Sequence, residues 1–140
     1  MILERVNDAA LINLIVNDPD VRPFVGPLDF GEIDLTAAAA RPEHWFLLGE
    51  HGGFGLVWSA PRVHEVHTFI LPSGRGKWAV KAAEAMIDFA RKNGDTMLWT
   101  KIPPDLKHVG AYARMMGMKA TDTVIETFGV PYKVYKMELN

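Results

Sequence analysis

Between Lys77 and Lys92 the apolar residues Trp78, Ala82, Ala85, Met86 and Phe89 fall on one stripe, and Lys81, Glu84, Asp88, Arg91 and Lys92 fall on the other. A stripe that returns every three to four residues predicts an amphipathic helix burying one face. Asn93-Gly94 closes it as a left-handed cap. Asn7-Asp8 opens an earlier helix carrying Leu11, Ile12, Ile15 and Val16 at helical spacing, with Pro19 as its stop. Asp34 caps a short alanine-rich helix that ends before Pro42. Asp105 caps a fourth, with Leu106, Val109, Ala113 and Met116 inward and Gly117 at its end.

Strand patterns fill most of the remainder. Met1 to Val6 reads as a short strand. His44 to Gly49 and Phe54 to Ser59 flank Glu50-His51-Gly52-Gly53, a hairpin signal because glycine supplies positive φ freely. Val63 to Leu71 and Thr96 to Ile102 are rich in apolar and β-branched residues, the second stopped by Pro103-Pro104. Met118 to Phe128 and Tyr132 to Leu139 predict a terminal hairpin around Gly129-Val130-Pro131. Residues 18–33 hold Pro23, Gly26, Pro27 and Gly31 and read as irregular. The order β-α-α-β-β-β-α-β-α-β-β shows no repeat or linker. It predicts one α/β domain over residues 1–140, a mixed, mostly antiparallel sheet of six to seven strands flanked by about four helices.

Composition narrows the function classes. The 140 residues are 49% apolar and 23% charged, an ordinary globular profile. A formal charge of -2 gives no whole-molecule attraction to nucleic acid or anionic lipid. No apolar run reaches the ~20 residues that span a bilayer, and Met1-Ile-Leu-Glu-Arg5 puts charges where a signal peptide needs apolar residues. The expectation is a cytoplasmic protein with neither nucleic acid nor membrane as partner. The absence of cysteine excludes disulfides, cysteine thiolate nucleophiles and cysteine-ligated metals.

The segment that points to chemistry is Pro72-Ser-Gly-Arg-Gly-Lys-Trp78, which joins a strand to the amphipathic helix. A helix start presents unpaired N–H groups and about half a positive charge, and ordinarily draws Asp or Glu into its first turn. Here Arg75 and Lys77 stand at that end, and no acidic residue lies between Thr68 and Lys81. Gly74 and Gly76 let an anion approach the backbone. The arrangement reads as a phosphate site, against the plainer alternative of a solvated basic turn. A Walker loop fails, because Leu71 stands at its first glycine and Trp78 at its magnesium-binding Ser/Thr. Gly74-Arg-Gly-Lys-Trp-Ala79 satisfies the loose dinucleotide pattern, but too few β-α units follow for a Rossmann domain.

At this loop the sequence resembles the GNAT superfamily of acetyl-CoA-dependent N-acetyltransferases, whose signature is Arg/Gln-x-x-Gly-x-Gly/Ala between the fourth strand and third helix. Ser73-Gly-Arg-Gly76-Lys-Trp78 keeps the central glycine, and Arg75-Gly-Lys-Trp78-Ala79-Val80 keeps the arginine. The element order from Trp45 onward matches as well, including Gly117-Met118 after the fourth helix. Leu71 to Lys77 and Ile102-Pro103 are similar to stretches of small phage-encoded members, which implies a host cytoplasm. The resemblance implies acetyl-CoA as co-substrate, no metal, and direct acyl transfer to a small-molecule or peptide amine. It places the pantetheine arm against the backbone of Phe69, Ile70 and Leu71. The pyrophosphate would meet the loop of Gly74, Arg75, Gly76, Lys77, Trp78 and Ala79, and the thioester would enter a slot between strands 63–71 and 96–102.

An amine must be neutral to attack a thioester, so a proton acceptor is needed. Some family members carry a glutamate on the fourth strand. Glu65 stands there, with His67 on the same strand face two residues on. The alternative is a solvent-facing pair. His64-x-x-His67 is not a metal pair on a strand, since residues three apart face opposite ways. Many members use a helix tyrosine, four residues before the closing glycine, to protonate the thiolate; Ala113 holds that place and Tyr112 is beside it, on a helix face shared with His108. Phe24 and Phe30 either wall the acceptor pocket or anchor their loop. A catalytically silent member of the superfamily remains the alternative. Two terminal edge strands would leave both a monomer and a sheet-mediated homodimer open.

Overall fold

The computed structural model describes residues 2–26 and 28–139, so Met1 of the expected first strand and Pro27 of the irregular segment lie outside it. In chain order the elements are β1 (Glu4–Val6), α1 (Ala9–Val16), α2 (Thr36–Ala39), β2 (Trp45–Gly49), β3 (Gly52–Ala60) and β4 (Val63–Ile70). They continue with α3 (Lys77–Lys92), β5 (Met97–Ile102), α4 (Lys107–Met115), β6 (Lys119–Thr127) and β7 (Val130–Glu138). Short 3-10 turns at Arg22–Phe24 and Leu28–Phe30 occupy the segment expected to be irregular. The strands form one seven-stranded sheet in the order β1-β2-β3-β4-β5-β7-β6. Neighbours are antiparallel except β4 and β5, which run parallel.

Small side chains set how α3 packs. Its buried residues are Ala79, Ala82, Ala83, Met86 and Ala90, so the axis comes close to the sheet and one methionine fills the remaining gap. This face joins Leu47, Phe54, Leu56, Val66 and Leu98 of the sheet to Ala113 of α4. Ile12, Ile15 and Val16 of α1 cover the opposite face, against Phe46, Leu48 and Phe69. Asp8 caps α1 by accepting from Leu11 N at 3.1 Å. The N-cap of α2 is Leu35 rather than Asp34; Asp34 stands one residue earlier and accepts from Thr36 N at 3.0 Å.

Two expectations are corrected. The last hairpin does not turn at Gly129-Val130-Pro131: Val130 pairs with Thr127 and Pro131 with Glu126, and the two-residue turn is Phe128-Gly129. Both turn residues have positive φ, 52° and 78°, the twist that matches a right-handed ribbon. Pro131 is tolerated because β7 pairs with β5 only from Lys133 onward. Nor are both terminal strands edges. β7 lies inside the sheet, leaving β6 at the margin, where a register shift between Ala120 and Val124 interrupts it. Such a bulge discourages edge-to-edge pairing.

Candidate active site

Helix α3 begins at Lys77 with Gly76 as its N-cap. Among the described residues no side chain caps this end, and no acidic residue lies in the first turn. The four amides from Gly76 to Ala79 therefore face out of the helix without an intrahelical acceptor. Gly76 has φ 112° and ψ -132°, a conformation that essentially only glycine adopts.

Neighbouring loop residues do different work from what their sequence suggests. The amide of Arg75 donates to Pro72 O and that of Gly74 to Leu71 O, so both are spent inside the turn. Gly74 is buried, and a Cβ there would lie 2.4 Å from His51 Cβ and 2.9 Å from Trp78 Cε3. Packing, rather than the approach of an anion, demands glycine at this position. The Arg75 side chain turns away from the helix mouth: Nη2 donates to Asp20 O at 2.8 Å, and the guanidinium lies 5.7 Å from the Phe24 ring centroid. Trp78 is wedged beneath the loop, edge-to-face with His51 at 5.1 Å, and His51 Nδ1 lies 2.9 Å from Ser73 Oγ. The β2–β3 turn thus braces the helix mouth from below.

Beside that mouth the sheet opens. β4 and β5 pair only at Val63–Met97, His64–Leu98 and Glu65–Trp99. Beyond, β4 stays with β3 as far as Ile70–Gly52 and β5 stays with β7 as far as Ile102–Lys133. Each strand keeps its antiparallel neighbour, and the parallel pair splits. Thr100 Oγ1 donates to Val66 O at 2.9 Å and closes the base of the split. A cavity of about 20 Å³ lies there, lined by Val66, Thr68, Thr100 and Ile102 with Tyr112 and Ala113 of α4.

Backbone groups alternate sides along a strand. Leu71 N donates to His51 O and Val66 O faces Thr100, so Phe69 and Leu71 turn their backbones toward β3. The groups facing the split are those of Thr68 and Ile70. Of the three residues expected to meet the pantetheine arm, Ile70 alone is oriented for it, and Thr68 went unnoticed. Its signal was available in the parity of the strand. Leu71 instead borders a groove of about 640 Å³ between α1 and the 18–33 segment.

Glu65 and His67 lie on the sheet face that also carries Phe69, with His67 Nε2 3.3 Å from Glu65 Oε1. Lys101 of β5, also unnoticed, brings Nζ to 3.8 Å from Glu65 Oε2. Burial pushes the Glu65 carboxyl up, but the hydrogen bond and attraction of His67, with the charge of Lys101, outweigh it and leave the pKa below the ordinary range. Oε2 is buried and receives no hydrogen bond among the described residues.

His64 projects to the other face, as the strand period requires. Its Nδ1 lies 2.8 Å from Asp95 Oδ2, its Nε2 lies 2.8 Å from Glu43 O, and Trp45 stacks on the ring at 3.9 Å. Burial pushes the Asp95 carboxyl up against the opposing pull of His64. This buried pair ties β4 to the turn before β5 and is structural.

Tyr112 does not share an open face with His108. It is half-buried against the core, and its hydroxyl donates to Ala79 O at 2.7 Å, linking α4 to the first turn of α3. Burial pushes its pKa up. Phe30 packs edge-to-face on Phe128 at 4.6 Å, joining the 18–33 segment to the β6–β7 turn. Arg22, buried to 8% exposure, holds that segment through Gly31 O and Gly26 O.

No protein-family model matches the sequence, and no curated protein matches it. Solved structures do. The chain is similar to yncA of Salmonella typhimurium, determined with its cofactor acetyl-CoA: 17% identity, TM-score 0.74, 99% of this chain and 93% of that one. It is similar to the ribosomal-protein-alanine N-acetyltransferase of Brucella melitensis, at 16% identity and TM-score 0.75 over 99% of this chain and 100% of that one. It is also similar to a spermidine N-acetyltransferase chimera of Vibrio cholerae SpeG and hSSAT, at 12% identity and TM-score 0.73 over 99% and 96%. With its split parallel pair beside an uncapped third helix, this chain has the fold of the GNAT N-acetyltransferases.

Proposed function

We propose that the chain transfers an acetyl group from acetyl-CoA to a primary amine. One observation carries the reading: the free amides at the mouth of α3 stand beside the gap where β4 leaves β5. An uncapped helix start attracts a diphosphate through its N–H groups and partial charge. The amides of Gly76, Lys77, Trp78 and Ala79 bind that group, and the backbone of Thr68 and Ile70 receives the pantetheine amides as a strand would. Loading widens the small cavity between the strands.

The reaction needs little else from the protein. An ammonium acceptor gives a proton to the Glu65–His67 pair, directly or through water, and becomes a neutral amine. Its nitrogen bonds to the thioester carbonyl carbon, the C–S bond breaks, and the thiolate leaves with the electron pair; the acylated nitrogen sheds its extra proton and the thiolate takes one up, directly or through water. The acceptors named for two neighbours, spermidine and a ribosomal-protein alanine, support a small-molecule or peptide amine as the acceptor class. Calorimetric titration with CoA tests binding, and thiol release from acetyl-CoA with an amine panel tests transfer. CoA binding without turnover of any amine supports a second reading, a catalytically silent protein of this fold. That reading is favoured by the commitment of the Tyr112 hydroxyl to Ala79 O. Absence of CoA binding refutes the first reading.

A further inference from the structure

The fifth strand sends one cation toward the split. Lys101 Nζ lies 3.8 Å from Glu65 Oε2 and 5.9 Å from the Tyr132 ring centroid. The two side chains are 26% and 12% exposed, so water screens their attraction only in part. Oε2 receives no hydrogen bond among the described residues, and the Lys101 ammonium compensates it. The other carboxylate oxygen faces His67 Nε2.

The surroundings leave this pairing electrically simple. On β3, Val57 and Gly55 stand opposite Glu65 and His67 and carry no charge. On β5 the same face holds Met97, Trp99 and Lys101. On β7, Val134 pairs with Lys101, Lys136 with Trp99 and Glu138 with Met97, so Lys136 and Glu138 lie one and two steps toward the closed end of the split.

We propose that Lys101 is a positioning residue for acyl transfer: its ammonium anchors Glu65 Oε2, which keeps Oε1 against His67 Nε2 and fixes the working tautomer of the imidazole. This rests on the acyltransferase reading. A Glu65 carboxylate can only accept, so His67 must present Nε2–H to it, which leaves the Nδ1 lone pair to receive a proton from the ammonium. The proton passes from the substrate nitrogen to Nδ1, giving a neutral amine and an imidazolium held beside the carboxylate. A Glu65 carboxylate that swings away from Nε2 would no longer demand that tautomer.

Carboxyl carbon NMR of Glu65 across pH 2 to 8 tests the assignment in the wild type, Lys101→Met and Lys101→Arg, with CoA calorimetry on the same samples. In Lys101→Met the carboxyl titrates higher than in the wild type, because the neighbouring positive charge is gone, and Lys101→Arg restores the wild-type titration. Ring ¹⁵N NMR of the neutral His67 reads the tautomer itself: Nε2–H prevails in the wild type and Lys101→Arg and gives way to a mixture in Lys101→Met, a change that a packing role alone does not produce. An unmoved Glu65 in a sample that binds CoA overturns the role of Lys101 alone. A moved Glu65 in a sample that ignores CoA sinks the acyltransferase reading, and the catalytic role of Lys101 with it.

Discussion

Gly76→Ala separates the backbone conformation of the loop from every side-chain effect. At φ 112° and ψ -132° an alanine is strained by about 1–3 kcal/mol. Nothing lies within 4 Å of the new Cβ, so no steric clash adds to that figure. The cost divides between two outcomes. If the fold holds the conformation, the melting temperature falls by roughly 3–10 °C for a chain of this length. If the loop relaxes, the amides no longer converge and CoA affinity falls by about 5- to 150-fold. Gly94→Ala is the control: its φ is 96°, nothing lies within 4 Å of its Cβ, and it stands at the far end of α3. It lowers the melting temperature and leaves CoA affinity unchanged. Calorimetric titration with CoA, paired with thermal unfolding, reads both. Gly76→Ala matching the wild type in both would refute the reasoning.

Three further substitutions probe the site and its supports. His64→Leu leaves the Asp95 carboxyl buried without its partner and costs about 3–5 kcal/mol by urea denaturation; a loss below about 1 kcal/mol contradicts a structural pair. Tyr112→Phe removes one hydrogen bond to Ala79 O, costs about 1 kcal/mol and leaves kcat within about threefold, because the hydroxyl is already committed. A 100-fold loss in kcat would make Tyr112 the thiolate's proton donor. Glu65 has its pKa held below the ordinary glutamate value, so its ion pairs stabilise the fold above that value, and the contribution is lost as pH falls through the folded one. Glu65→Gln flattens that acid dependence in pH-resolved unfolding, and it lowers acyl transfer by about 10²-fold or more; an unchanged acid limb removes Glu65 from the account.

Legibility followed the range of the interaction. The bounds of α3 were readable to the residue because sixteen positions repeat one amphipathic pattern. The loop was recognisable from charge and glycine content, but the separate reasons for its two glycines were not. Gly76 is set by its own φ, whereas Gly74 is set by His51 and Trp78, which reach it only through the β2–β3 turn. Glu65 and His67 were paired correctly because two residues on one strand share a face. Lys101 required the β4–β5 register, although a lone cation in Met97-Leu98-Trp99-Thr100-Lys101-Ile102 was a visible signal. Pro131 misled the hairpin assignment, since a proline beside glycine resembles a turn even where a strand leaves its N–H site unused. The His64–Asp95 pair spans 31 residues and had no local trace.

Amide NMR of the ¹⁵N-labelled protein during titration with CoA addresses the central claim most directly. The account predicts that the signals of Gly76, Lys77, Trp78 and Ala79 move together and saturate at one stoichiometric equivalent, with Thr68 and Ile70 following. Saturation that leaves those four signals in place, or no change at any CoA concentration, would contradict it.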